Sequence, residues 1–206
     1  MKIYVVVDTN VVVSGIITKN PFSPTRRILK YVEEGVMVPL INHDILFEYQ
    51  DVLSRNKFHL TNSDVDNIMS LFRLKGEHAE PICSDIRMVD QDDLIFYQTY
   101  LSNDESYLVT GNQKHFPIER KIISPSDMIH IISQLYADTD VLSDPHIPYQ
   151  SESSAVILER ARATIENVRA RSAENGVGDM TMEEIDEEIR LAREERRKRN
   201  GREDKR

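Results

Sequence analysis

Four stretches of the chain carry oxygen-bearing side chains at positions from which they could act together. Asp8 closes the apolar run "IYVVV", Glu48 lies in "HDILFEYQDVLSR", Asp90, Asp92 and Asp93 crowd "MVDQDDLIFYQTYL", and Asn112 ends "SYLVTGN". Hard oxygen donors of this kind suit Mg²⁺ or Mn²⁺. The single cysteine, Cys83, and the scattered histidines give no zinc-ligand spacing. The chemistry on offer is therefore cation binding by carboxylates, provided that the fold gathers them.

The elements that must do so are legible in the apolar periodicity. Ile3 to Val7 lacks polar alternation and reads as a strand buried on both faces, with "VVVSGI" opening the next helix and Thr9 and Asn10 turning the backbone between them. Ser23 and Pro24 give an N-cap and first-turn proline to a helix that Gly35 ends. Val36 to Ile41 reads as the second strand. Helical spacing returns at Ile45, Tyr49, Val52 and Leu53, and again around Val65, Ile68, Met69 and Phe72. The acidic segment enters another helix, followed by the strand "SYLVTGN", the short strand "KIISP" and the helix "SDMIHIISQLY". Strands alternating with helices predict an α/β fold, a Rossmann-like parallel sheet flanked by helices. Ligands of such sheets bind outside the carboxyl ends of the strands, where Asp8 and Asn112 fall. Asp93 starts the helix leading into the Asn112 strand, and Glu48 sits in the helix after the second strand, so all four can meet at one sheet edge.

Size and charge bound the rest. A chain of 206 residues with 40% hydrophobic content predicts one domain and an appendage. No signal-peptide pattern precedes Asp8, and no apolar run approaches the roughly 20 residues of a spanning helix, so a reducing, cytoplasmic setting without membrane contact is expected. Residues 190 to 206 hold nine Lys or Arg against four acidic residues, a net +5 within a total of -9, which leaves -14 on residues 1 to 189. So acidic a body argues against nonspecific binding of a phosphate backbone, unless basic residues or bound cations offset it. From Ser143 the composition shifts. "SDPHIPYQSES" predicts a linker over residues 143 to 152, separating a domain over 1 to 142 from a helical tail over 153 to 206. Leu158, Ala161, Ile165 and Val168 stripe one tail helix, and Met182, Ile185, Ile189 and Ala192 the other, which Thr181 and Glu184 open as a capping box. "ENGVGD" between them reads as a flexible joint. Such narrow stripes need a surface to lie on.

The blocks "VVDTNVVVSGI", "ILFEYQDVLSRNKF", "DQDDLIFYQTYL" and "YLVTGNQKHFP", in this order and at these intervals over about residues 1 to 132, resemble the PIN-domain ribonucleases, and more closely their branch of toxins from toxin–antitoxin systems. The resemblance implies a PIN-like sheet and metal-dependent hydrolysis of RNA by an acidic cluster, carried over here onto Asp8, Glu48 and Asp93. The family's fourth acidic place falls on Asn112, which keeps one carbonyl oxygen but loses a charge. Asp90 is the reserve carboxylate, Asn10 and Ser14 are candidate supports, and Thr110 is read as structural support. A homodimer is implied by resemblance alone. The tail segment "MTMEEIDEEIRLAREERRKR" resembles the C-terminal segment of antitoxins, which implies that the tail, or a separate antitoxin, inhibits the site through an arginine.

Plainer readings stand beside these. Asp8 could cap a helix, Glu48 could be solvated, and Asp90, Asp92 and Asp93 compete as favourable charges at one helix start. His43 and His115 read as capping or surface residues. A haloacid-dehalogenase-like phosphatase would want an aspartate at position 10, which holds Asn10. The alternative to an enzyme is a non-catalytic PIN-fold module whose acidic pocket docks the arginines of a partner.

Overall fold

The computed structural model describes residues 2–137 and 152–203. At its centre lies a five-stranded sheet in the order β3-β2-β1-β4-β5, with every neighbouring pair parallel. The strands are β1 (Ile3–Val7), β2 (Met37–Ile41), β3 (Glu77–His78), β4 (Tyr107–Val109) and β5 (Ile122–Ile123). Eight α-helices are described: α1 (Thr9–Ile17), α2 (Pro24–Glu33), α3 (His43–Leu53), α4 (Asn62–Lys75), α5 (Leu94–Tyr100), α6 (Pro125–Ala137), α7 (Glu152–Asn175) and α8 (Met182–Glu203). The predicted α/β sheet with a C-terminal helical extension is the observed fold.

β1 is the middle strand because its side chains are apolar on both faces: Val5, Val6 and Val7 are buried between helix layers. The backbone N–H of Asp8 donates to the Val109 carbonyl at 2.9 Å, tying the tip of β1 to β4. α1 starts at once, since the Asp8 carbonyl accepts from Val11 and Val12 at 3.0 and 3.2 Å. Thr9 and Asn10 therefore form the first helical turn rather than a loop. α3 is started by Asn42, whose side chain accepts from the Ile45 N–H at 3.0 Å. The Tyr49 hydroxyl, one turn on, donates to the Val7 carbonyl and fixes α3 against the end of β1.

Two short elements went unread in the sequence. β3 is only two exposed residues paired to the end of β2, too short for any periodicity to show. Gln91–Asp93 form a 3-10 turn whose start is capped by Asp90, accepting from the Asp92 N–H at 3.1 Å.

The tail helices lie on the body. α7 packs on α4 and α1, and α8 on α1 and α3. Leu158, Ala161, Ile165 and Val168, then Ile185, Ile189 and Ala192, are buried and join the hydrophobic core of the sheet, with Met182 packed at its margin. The capping box forms as read: Glu184 accepts from the Thr181 N–H at 2.8 Å and Thr181 from the Glu184 N–H at 3.2 Å. The joint between the helices is anchored rather than loose. Val177 is buried, the Gly178 carbonyl accepts from the Lys19 N–H at 3.3 Å, and Asp179 pairs with Lys19 at 2.7 Å. A Cβ on Gly178 would come within 3.1 Å of the Ile17 carbonyl oxygen, so this glycine permits the close approach. The linker assigned to residues 143 to 152 lies, but for its last residue, outside the described residues. Among the described residues no helix is long and apolar enough to cross a membrane.

Candidate active site

Asp8, Glu48 and Asp93 reach one place at the carboxyl edge of the sheet, and all are buried: 5%, 2% and 3% exposed. Each is steadied by a donor from another part of the chain. The Thr110 hydroxyl donates to Asp8 Oδ2 at 2.6 Å, and because it accepts the Asn112 N–H at 2.9 Å its own proton is free for the carboxylate. Thr9 donates to Glu48 Oε1 at 2.8 Å. His115 Nδ1 faces Asp93 Oδ2 at 3.1 Å, while its Nε2 faces the Asn112 amide nitrogen at 2.9 Å. One tautomer satisfies both contacts, with the proton on Nδ1 donated to Asp93 and Nε2 accepting from Asn112.

The centre of the cluster holds a guanidinium from α8. Arg193, 4% exposed, donates from Nη2 to Glu48 Oε1 at 2.6 Å, from Nε to Glu48 Oε2 at 3.3 Å, and from Nη1 to Asp93 Oδ1 at 2.7 Å and Asp90 Oδ2 at 2.9 Å. This is the planar fork that makes arginine the strongest side-chain partner of carboxylates. Arg196 and Arg197 extend the contact to Asp92, with Arg196 Nη2 at 3.3 Å and Arg197 Nη2 at 2.8 Å, and Arg199 reaches Asp51 at 2.8 Å. A second tail group arrives two turns earlier. Asp186 accepts from Asn10 Nδ2 at 2.9 Å and from Asn112 Nδ2 at 3.3 Å.

The electrostatics differ from residue to residue. Burial first, and then the charge of Asp93, push the Asp8 carboxyl up to about 8. Asp93 is raised by burial, with Arg193 pulling against it. Burial would raise Asp90 too, but the Asp92 N–H and Arg193 outweigh it and hold Asp90 below the usual carboxylate range. Arg193 is the mirror case: burial disfavours its charge, yet Glu48 and Asp93 keep its pKa above the ordinary value.

The other sequence candidates fall into place or out of it. Asn10 is at the site, its Oδ1 accepting from the Gly111 N–H at 3.1 Å. Ser14 is not: it bonds Thr25 at 3.0 Å and fastens α1 to α2. Asp8 makes no side-chain capping bond to α1. His43 is exposed as read, whereas His115, also read as a surface or capping residue, is a direct partner of Asp93. The only hint in the sequence was its place three residues after Asn112. Asp186 was missed for another reason, being one acid among several in an acidic helix.

Buried carboxylates thus converge at the carboxyl edge of a parallel α/β sheet, each held by a hydrogen-bond donor. A family model described as PIN domain matches residues 4–114, more than half of the chain, and the protein belongs to the PIN domain family. No curated protein and no solved structure compared with the chain matches it. PIN domains are generally nucleases and typically use divalent metal ions. Among the described residues no three His, Cys, Asp or Glu side chains are spaced to hold an ion as they stand, and Glu48, Asp90 and Asp93 are instead disposed around the Arg193 guanidinium. The donor set nevertheless fits a small hard cation. It is all oxygen, it already binds a cation, and the amide oxygen of Asn112 is sealed from solvent with no hydrogen-bond partner.

Proposed function

We propose that this protein is a metal-dependent endoribonuclease of the toxin type, restrained by its own antitoxin-like C-terminal helices. The observation that carries the reading is the Arg193 guanidinium, buried and bonded at once to Glu48, Asp90 and Asp93. The residues that would hold Mg²⁺ or Mn²⁺ are Asp8, Glu48 and Asp93. An ion bound there would offset phosphate charge and activate water for phosphodiester hydrolysis.

The chain's own groups prepare the site. Thr110, Thr9 and His115 hydrogen-bond to the three acids and hold them in place around a cation. Arg193 supplies that cation from within, and because α8 is covalently attached it does so at the effective concentration of a tethered group rather than by encounter. With the guanidinium in place, neither an ion nor an RNA phosphate has room at Glu48 and Asp93. An acidic pocket that docks an arginine also favours the second reading, a non-catalytic interaction module.

The two part on one assay of full-length Arg193→Gln against a mixed single-stranded RNA pool with titrated Mg²⁺ or Mn²⁺. The expected result is cleavage well above that of the unmodified chain, abolished when Asp8→Asn is added. A folded Arg193→Gln protein that binds Mn²⁺ yet cuts no RNA would overturn the nuclease and leave the docking module.

A further inference from the structure

α8 brings two charged groups of opposite sign to the site. Asp186 and Arg193 are seven residues apart, two helical turns, and therefore lie on the same face. They meet different surroundings. Arg193 is enclosed by carboxylates, while Asp186 lies against the side-chain amides of Asn10 and Asn112 beyond the tip of β4. Other acids of α8 find arginines: Glu187 pairs with Arg190, Glu188 and Glu195 with Arg55, and Glu194 with Arg190. Asp186 has no ion pair among the described residues and is partly buried. Burial raises its carboxyl, His115 and Arg193 acting on it only through space, so a cation placed beside it would relieve the cost of withdrawing this charge from water.

The surroundings of Asp186 are built to receive a carboxylate. Asn10 is oriented by the Gly111 N–H on its oxygen, so its NH₂ points to Asp186. Asn112 divides its two amide protons between His115 and Asp186. An aspartate at position 112 would offer oxygens to both and repel Asp186. The neutral amide at 112 and the acid at 186 are thus matched, and the negative charge of this corner is carried by the tail instead of by the loop. Asp186 also lies near enough to Asp8 for its charge to act on that carboxyl.

Resting on the metal-site reading above, we propose that Asp186 is a metal-binding residue of the site, delivered by the tail. When Arg193 swings out while Ile185 and Ile189 keep α8 docked, Asp186 remains beside Asn10 and Asn112 and serves the ion together with Asp8, Glu48 and Asp93. α8 then closes the site with one residue and completes it with another. A chain lacking Arg193 alone binds a divalent ion more tightly than one lacking both charged groups.

The test is calorimetric titration of Mn²⁺ into full-length variants, with hydrogen exchange of the α8 amides followed in parallel. Arg193→Gln is expected to bind Mn²⁺ with α8 still protected. Adding Asp186→Asn should weaken that binding by roughly tenfold or more, the scale typical for loss of a supporting group at a metal site. Adding Asn112→Asp to that double variant should recover most of the loss, since it returns the charge to the same corner. If Asp8→Asn weakens Mn²⁺ binding in the Arg193→Gln protein but Asp186→Asn does not, the inference is overturned and the metal site stands. Loss of α8 protection in Arg193→Gln overturns it as well. If Arg193→Gln binds no Mn²⁺, or binds it as well with Asp8→Asn, the metal-site reading fails and takes the inference with it.

Discussion

The two tail helices are held by different physics. α7 buries Leu158, Ala161, Ile165 and Val168, and its own buried arginine, Arg169, donates to the Gly15 carbonyl at 2.8 and 3.3 Å, an acceptor that no ion can carry away. Asn67 to Thr164 at 3.1 Å and Arg171 to Asp64 at 2.6 Å add polar contacts to α4. α8 has a thinner apolar stripe of Ile185, Ile189 and Ala192, and past it relies on Arg193, Arg196, Arg197 and Arg199 against acids of the body. Apolar burial is insensitive to salt and metal, whereas guanidinium–carboxylate contacts compete with both. α7 is thus built as the anchor, and the arginine-bearing end of α8 as the part that can leave.

The strongest way to break this contrast is to weaken the anchor. Ile165→Ala removes a side chain only 1% exposed and should cost about 2–5 kcal/mol of global stability, read as a lower urea midpoint for the whole protein. The matched change in α8, Ile189→Ala, should raise hydrogen exchange in α8 with a smaller shift of that midpoint. Equal global losses for both would show one cooperative unit and erase the distinction.

Removing the arginine comes next. Breaking a buried ion pair costs about 3–5 kcal/mol when the remaining charge stays buried, but with the guanidinium gone water can reach Glu48 and Asp93 while Ile185 and Ile189 keep α8 docked, which limits the global loss. Arg193→Ala should therefore move the urea midpoint less than Ile165→Ala does, and millimolar Mg²⁺ should restore stability to it more than to the unmodified chain. Equal Mg²⁺ shifts in melting temperature for both proteins would contradict a cation site under Arg193. Raised NaCl, by the same logic, should accelerate exchange of the amides at the arginine-bearing end of α8 more than those of α7, whose ion pairs to Asp64, Glu33 and Arg26 are backed by a larger apolar face.

The fold and the placing of Asp8 were legible because they depend on local pattern. Buried strands announce themselves as β-branched runs, and Asp8 stands out as the polar residue that ends one. Glu48 and Asp93 needed the family resemblance, since nothing in their helices marks them against Asp44, Asp51 or Asp92. Which side chain pairs with which was legible at the Thr181–Glu184 capping box but not around the acids. Thr9, read only as turning the backbone after Asp8, serves Glu48, while Ser14 turns to α2 and His115 turns inward to Asp93. Those choices are made by helix rotation and loop placement, which no spacing of residues records.

A smaller effect concerns pH. Burial and Asp93 raise the Asp8 carboxyl from an ordinary 3.8 to about 8, so between those values the folded chain holds a proton that the unfolded chain has lost. The contribution of this group to stability is complete below about 4 and is lost as pH rises through about 8. Metal-free protein should melt at falling temperature across that window, and Asp8→Asn, which cannot ionise, should flatten the slope. An unchanged slope would place the buried charge elsewhere. Asp90, held low by the Asp92 N–H and Arg193, acts in the opposite sense and only in acid.

The smallest expected effect isolates the contact between α8 and the site loop. A Cβ on Gly111 would fall 2.2 Å from Met182 Cε and 3.3 Å from Asn10 Oδ1. The Gly111 backbone is not in the left-handed region, so alanine meets no strain of its own there. What it meets is the flexible end of a methionine, which can swing aside at little cost. Gly111→Ala should thus lower stability by less than about 1 kcal/mol, with faster exchange confined to the first turn of α8. Because the obstruction belongs to the tail, Met182→Ala should abolish it, and Gly111→Ala should then be nearly neutral. A double-mutant cycle reads this directly as a coupling between positions 111 and 182. If Gly111→Ala costs the same with Met182→Ala present, the loop tolerates no side chain for reasons internal to the body, and the fit between α8 and the loop contributes nothing to holding the tail in place.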